Sequence, residues 1–390
     1  MNFKNENGTL TVFLSGRIDS SNADATEKEI AAIRESNSYD NLILDADCLE
    51  YISSAGLRVV LRLKKAESSF SVINANSDVY EIFDMTGFTE MIDIKKAYRR
   101  ISVEGAEVIG QGANGKVYRI NADTIVKVYL NPDSLNDIQR ERDLAKKAFV
   151  LGIPTAISYD IARVGNGYGT VFELLNAKSF AKLIAEEPEK LDYYVGLYVD
   201  LLNKIHSTEV KAGDMPDMKE IAVGWAEFDR EYLPEKIGEK LVNLVKAVPQ
   251  DNHMLHGDYH IKNVMMQDGE VLLIDMDTLC VGNPVFELGS MFNAYEGFSS
   301  LEPGISLAFL GVPHETAVAI WEKSLAKYLG TSDAAKIAYV ENKAKIVGFM
   351  RLLRRDIRRG GLQDEKMKKE IDFYTEQLIS LVEKVDTLTI

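Results

Sequence analysis

The chain has 390 residues, 46% of them hydrophobic and 27% charged, with 45 Lys+Arg against 60 Asp+Glu and a net charge of −15. That length suits roughly two to three domains with a real core. The acidic balance excludes a bulk binder of nucleic acid or of an anionic membrane, which needs a dominant positive field; a phosphate needs only a local positive spot. Two cysteines, Cys48 and Cys280, exclude a disulfide framework and fit a reducing cytosol, where each is expected to be a small buried hydrophobe. No apolar run approaches the ~18 residues of a membrane-crossing helix. Residues 1–6 lack the basic-then-apolar layout of a signal peptide. The expectation is a soluble, cytoplasmic protein.

Residues 9–14 and 41–45 pattern as short strands around a helical stretch at 25–36. A third strand-like run at 70–74 follows a helical stretch at 55–66. Strands alternating with helices over about 100 residues predict a small α/β domain. The texture changes near residues 100–110, after a short basic stretch at 95–100 that reads as a solvated surface segment. Residues 107–110, 116–120 and 124–129 then read as three strands, the first turn between them glycine-rich. A helix at 135–151 stops at Gly152-Ile153-Pro154. Strands at 159–164 and 168–173 are joined by the hairpin signal Gly165-Asn166-Gly167. From residue 178 the chain is mostly helical, apart from a loop-and-strand island at 253–279. The prediction is a domain over 1–101, then one over 102–390 with a β-rich lobe at about 102–175 and a helical lobe at about 176–390.

The chemistry-bearing residues lie in the second region. Gly110, Gly112 and Gly115 take positions one, three and six of Gly110-Gln111-Gly112-Ala113-Asn114-Gly115. Glycine permits φ > 0 and lets backbone N–H groups close on phosphate oxygens. In a dinucleotide fold such a run leads from a strand into a helix; here it leads into another strand, as in kinases. Lys127 stands inside the apolar run Ile125-Val126-Lys127-Val128, which is costly unless its ammonium is used. Glu141 on the following helix is its candidate partner. In Leu255-His256-Gly257-Asp258-Tyr259-His260-Ile261-Lys262-Asn263-Val264, Asp258 precedes Asn263 in a loop, and Asp275 ends the next strand. Phosphoryl transfer needs a carboxylate to orient an acceptor hydroxyl and oxygen ligands for Mg2+. Asp258 suits the first role, Asn263 and Asp275 the second. Each alone could be a turn residue or a helix cap; their joint order points to a kinase fold.

Residues 105 to about 360 resemble the aminoglycoside phosphotransferase and choline kinase branch of the protein kinase-like fold. His256-Gly257-Asp258 stands where protein kinases have His-Arg-Asp, and Asp275-Met276-Asp277 where they have Asp-Phe-Gly. Ile153-Pro154-Thr155 and the segment Gly282-Asn283-Pro284-Val285-Phe286-Glu287-Leu288 are also similar, with Glu287 where the family usually has Asp. The resemblance implies an α+β two-lobed fold, ATP and Mg2+, a small-molecule hydroxyl as acceptor, and adenine contacts from the backbones of Glu173 and Leu175. His260 and Lys262 either neutralise phosphate charge or pack the loop. Asp277 is a second acid near the metal or a strand-end cap, and His206 caps a helix end.

In the first region, Ser53 or Ser54 suits the N-cap of the helix that opens there, and the same place favours an added phosphate. Residues 1–101 resemble a STAS domain of the anti-sigma-factor-antagonist type, in Gly16-Arg17-Ile18-Asp19, in residues 52–61 and in Ile82-Phe83-Asp84-Met85-Thr86-Gly87-Phe88. The resemblance makes Ser54 the regulatory phosphosite candidate, with Ser53 in place of the usual Asp, and implies an anti-sigma-like regulatory partner. The combined reading is an ATP- and Mg2+-dependent phosphotransferase with a STAS regulatory domain. Two alternatives stand beside it: a signalling kinase that phosphorylates Ser54 or a partner STAS domain, and a nucleotide-binding scaffold without catalysis. Arg351, Arg354, Arg355, Arg358 and Arg359 fall on one side of a helix. They read as a solvated helix end pairing with local acids, with a phosphate or partner-protein site as the alternative.

Overall fold

The structure is a computed structural model that describes residues 1–111, 115–156 and 158–390; Gly112 lies outside the described residues. The chain divides into two compact units, Met1–Ser102 with Ile161–Asn166, and Val103–Asp160 with Gly167–Ile390.

The first unit is built on a mixed sheet in the order β1 (Asn2–Glu6), β2 (Thr9–Ile18), β3 (Asn41–Ile52), β4 (Phe70–Ala75) and β5 (Asp93–Lys96). β2 alternates buried Leu10, Val12 and Leu14 with outward residues, the period of a strand covered on one face. Only β1 and β2 are antiparallel; the other neighbours are parallel. Parallel strands need crossovers, and α1 (Ala23–Glu35), α2 (Ser54–Ala66) and α3 (Ser77–Met85) supply them. The Ser53 hydroxyl caps α2, accepting from the Ala55 N–H at 3.2 Å. The α/β reading therefore holds. Cys48 is the departure. A register shift between β2 and β3 turns it outward, so it is exposed, while Cys280 is buried as expected.

In the second unit, Glu107–Gln111, Gly115–Arg119 and Thr124–Tyr129 form an antiparallel meander, and Gly167–Glu173 pairs antiparallel with Thr124–Tyr129. α4 (Leu135–Val150) buries Ile138, Glu141, Leu144, Ala145 and Ala148, a single helical stripe in which Glu141 is the one charge. The helical lobe comprises α5 (Phe180–Glu186), α6 (Leu191–His206), α7 (Met218–Asp229), α8 (Glu235–Lys246), α9 (Pro284–Tyr295), α10 (Gly304–Leu310), α11 (His314–Leu329), α12 (Ala334–Arg358) and α13 (Glu365–Lys384). The predicted island is there as the hairpin Val264–Gln267 and Glu270–Leu273. Among the described residues, no single helix is long and apolar enough to cross a membrane.

The buried helix α9 is held against α12 by two glycines. A Cβ on Gly289 would lie 2.5 Å from Val347 Cγ1, and one on Gly348 2.5 Å from Phe292 Cδ1 and 3.1 Å from the Gly289 carbonyl oxygen. This seam matters because α9 carries Glu287 and α12 carries Arg351. Gly348→Ala forces the helices apart at a cost of about 1–3 kcal/mol. Thermal denaturation should show a lowered melting temperature, and an unchanged one would mean that the seam tolerates a methyl group.

Candidate active site

The site is assembled from the meander, α4 and the loops around the hairpin at 264–273. Lys127 Nζ donates to Glu141 Oε1 at 3.0 Å and to Asp275 Oδ1 at 2.8 Å. Glu141 is held from its other oxygen by Tyr129, whose hydroxyl donates to Oε2 at 2.6 Å. Burial would lower the Lys127 pKa, but Asp275 and Glu141 outweigh it and hold the ammonium charged well above the usual range. Tyr129 had no signal of its own in the sequence. Its place two residues after Lys127, on the same strand face, was the only available hint.

Asp258, Asn263 and Asp275 come together through the hairpin register. Val264 pairs with Leu273, and the next rung is the Ile274 N–H donating to the Asn263 carbonyl oxygen at 2.9 Å. Asn263 Nδ2 donates to the Asp258 carbonyl oxygen at 3.0 Å. Asp275 adopts the left-handed region, φ 63°, at the turn that ends the strand run. The loop Ile153-Pro154-Thr155 joins this edge, since Leu273 N–H donates to the Pro154 carbonyl oxygen at 2.8 Å.

The segment His256–Tyr259 is pinned on all sides. Glu287, wholly buried, accepts from the His256 N–H at 2.5 Å and from the Gly257 N–H at 3.1 Å. Burial works to raise the Glu287 pKa; His206, His256 and the Gly257 N–H together bring it below the ordinary value. His206 therefore supports Glu287, at 3.8 Å, and bonds Tyr328 through Nδ1 at 2.8 Å, rather than capping its helix. The Gly257 carbonyl oxygen accepts from Ser290 Oγ at 2.9 Å and from Arg351 Nη1 at 3.1 Å. Gly257 has φ +83°, and a Cβ there would lie 2.5 Å from the Thr278 carbonyl oxygen, so glycine is required. His256 Nδ1 accepts from the Asp258 N–H at 3.3 Å, which leaves Nε2 to donate to the Ile274 carbonyl oxygen at 3.2 Å. Tyr198 and Tyr259 exchange hydroxyl-to-carbonyl bonds at 3.0 and 2.7 Å.

Burial alone would raise Asp258, but the His260 imidazole, 3.5 Å away, with Arg351 and His256, brings it down to about 2. Burial and the carboxylates of Asp275, Glu141 and Asp258 push Asp277 up to about 7, against Lys127. Lys262 lies over the Phe309 ring at 5.6 Å.

Gly115 faces the Val128 carbonyl oxygen, which a Cβ would meet at 2.3 Å. Close approach of two strands therefore demands this glycine, whatever it does for a ligand. At Gly110 a Cβ would make ordinary contact with Val117. The Leu174 N–H donates to the Asp123 carbonyl oxygen at 2.9 Å. Ser54 is exposed at the first turn of α2. The five arginines are not one solvated group. Arg358 and Arg359 are exposed, whereas Arg351, Arg354 and Arg355 are half-buried.

Among the described residues no group of three or more His, Cys, Asp or Glu side chains is placed to hold a metal ion alone. The residues fit a hard cation that also takes phosphate oxygens and water. With Nδ2 bonded to the loop, Asn263 has its amide oxygen left as a neutral ligand near the end of the strand that carries the Asp275 carboxylate.

Two outcomes follow. Glu287→Ala leaves two buried N–H groups unpaired and removes the carboxylate facing His206, and should cost about 3–5 kcal/mol in denaturant unfolding. Asp258 has a folded pKa below its unfolded one, so its contribution is full above the ordinary carboxylate pKa and is lost as pH falls toward 2. Melting curves of Asp258→Asn should fall less steeply than those of the parent below about pH 4; parallel curves would contradict this.

Residues 105–319 match the phosphotransferase enzyme family, and residues 1–101 match the STAS domain. The first region is 34% identical over 91 residues to a putative anti-sigma factor antagonist, BtrV, of Bordetella bronchiseptica, an alignment spanning 22% of this chain and 78% of that protein. A solved thermostable mutant of aminoglycoside phosphotransferase APH(4)-Ia, in ternary complex with ADP and hygromycin B, superposes with a TM-score of 0.50 at 10% identity, covering 71% of this chain and 93% of that one. At that identity the likeness is one of fold. Lys127, its two carboxylate partners and the pinned Asp258 loop thus stand in a matched framework, and the chain belongs to the phosphotransferase enzyme family, with a STAS domain ahead of the kinase-like fold.

Proposed function

We propose that the chain transfers the γ-phosphoryl group of Mg-ATP to a hydroxyl of a small molecule. The observation that carries the reading is Lys127 bridging Glu141 and Asp275 on the same edge as Asn263 and Asp258. Lys127, oriented by Glu141, meets the α- and β-phosphates, and the glycine-rich stretch bounded by Gly110 and Gly115 covers them. Backbone groups of Glu173 and Leu175 receive the adenine. Asn263 and Asp275 would hold Mg2+, which when bound neutralises phosphate charge. Asp258, ionised at neutral pH, accepts a hydrogen bond from the acceptor hydroxyl and aligns its oxygen with the γ-phosphorus. The new O–P bond forms as the bond to the β–γ bridging oxygen breaks, the hydroxyl proton passes to Asp258 and on to solvent, and ADP leaves. Family membership and the cost of keeping this many charges together both support the reading.

Release of ADP with Mg-ATP and a panel of hydroxyl compounds tests it. Asp258→Asn should lower kcat by a factor of ~10³ or more with nucleotide binding retained, and chelation of Mg2+ should abolish turnover. Intact Mg-ATP binding with no transfer to any alcohol, aminoalcohol or aminoglycoside would sink the proposal.

The STAS domain supplies a regulatory surface in this reading. Ser54 is exposed, and its helix N-terminus favours a phosphate. This supports Ser54 as a phosphosite and an anti-sigma-like protein as partner. Mass spectrometry after incubation with Mg-ATP, with and without a candidate partner kinase, checks it. No phosphate on Ser54 in either arm removes the site.

A further inference from the structure

The transfer described above leaves unused the face of α12 that touches the Asp258 loop. Arg351 on this face donates through Nη1 to the Gly257 carbonyl oxygen at 3.1 Å and to Ser290 Oγ at 2.8 Å. That leaves its Nε–Nη2 edge, the edge that matches a carboxylate or phosphate with two parallel hydrogen bonds. Its guanidinium lies 5.8 Å from the Trp225 ring centroid. One turn further, Arg354 lies 6.0 Å from the Phe228 ring and Arg355 4.7 Å from the Phe298 ring. Cations over aromatic faces are held flat and partly stripped of water. From such a setting they bind an anion more strongly than solvated lysines would.

We propose that the phosphate acceptor is an anionic hydroxyl compound, and that Arg351, Arg354 and Arg355, walled by Trp225, Phe228 and Phe298, receive its phosphate ester or carboxylate. The proposal rests on the phosphotransferase reading above and adds the chemical class of the acceptor.

Local charge supports it. Acids lie against these arginines, Glu370 facing Arg355 among them. Asp356 pairs with Arg355 Nε at 2.7 Å. Asp229 is wholly buried with neither carboxylate oxygen hydrogen-bonded. Burial pushes it up to about 9, with Arg354 opposing, so at neutral pH it cancels no positive charge. Arg354 therefore keeps an uncompensated charge beside Asp229, in a chain whose net charge is −15. The Arg351 field also reaches Asp258, whose pKa it helps to lower. A polycationic acceptor would meet like charge on this wall.

The test is binding to the full chain with Mg-ADP present, read by calorimetry and by tryptophan fluorescence. Trp225 can report, whereas Trp321 is fully buried. The probes are ribose 5-phosphate against ribose, gluconate against glucose, and kanamycin. The charged member of at least one pair should bind roughly tenfold or more tightly than its neutral twin; which pair responds distinguishes phosphate from carboxylate. Arg354→Gln and Arg355→Gln should each weaken that probe about tenfold while leaving ADP affinity unchanged. They keep the test readable if Arg351→Gln disturbs the loop. Equal binding of twins, a preference for kanamycin, or variants that bind as the parent does would overturn the proposal. Turnover is scored apart from binding. Transfer to a neutral or cationic hydroxyl in preference to the anions refutes the acceptor class and leaves the phosphotransferase reading standing. Arginine-dependent anion binding without any transfer supports the anion site and counts against the transfer reading alone.

Discussion

The second unit is organised around one carboxylate with no access to water. An isolated buried carboxylate costs several kcal/mol, and Glu287 is kept ionised by two backbone N–H groups and a histidine. The direction of dependence runs outward from there. The two N–H groups belong to His256 and Gly257, so satisfying Glu287 fixes the backbone just before Asp258. Gly257 must then take a left-handed conformation, and its carbonyl oxygen turns toward Ser290 and Arg351. Glutamate in place of aspartate adds one methylene, and the second oxygen still reaches both amides.

A second knot of charge sits across the cleft. Lys127 is one cation among Glu141, Asp275 and Asp277. Two of these carboxylates bond it directly, and the third is displaced toward neutrality by burial and by the other two. Such a cluster has a deficit of positive charge, which suits an edge that is to receive a divalent cation. On the other side of Asp258, Arg351 donates to the Gly257 carbonyl oxygen, and Arg354 and Arg355 follow on the same helix. In the proposed reading the two sides are a nucleotide-metal end and an acceptor end, although the chain as a whole is acidic.

The fold class was legible because its signals are local. Alternation along β2, the glycine run leading into a strand, and the lysine inside 125–128 each need only a few neighbouring residues to be read. The thirteen residues from Asn263 to Asp275 were equally legible, because a tight hairpin converts their spacing into contact. What escaped depends on residues distant in sequence. His206 looked like a helix end because Glu287 lies 81 positions away. The arginines looked solvated because Trp225, Phe228 and Phe298 come from other helices. Gly115 looked like part of a phosphate loop, and its neighbour Val128 shows that strand packing requires it as well. Cys48 turned outward at a register shift that no pattern of apolar residues announces.

The glycine seam between α9 and α12 has a consequence for how such a protein changes over time. With no side chain between Gly289 and Gly348, the two helices interlock and resist sliding past one another. The loop backbone is set by α9, and the guanidinium groups are displayed on α12. In the proposed reading, a lineage that keeps the seam is free to exchange positions 354 and 355 singly, and so to drift between acceptors, without rebuilding the geometry that aligns the attacking oxygen. Evolvability of preference and rigidity of alignment then share one origin, two missing methyl groups.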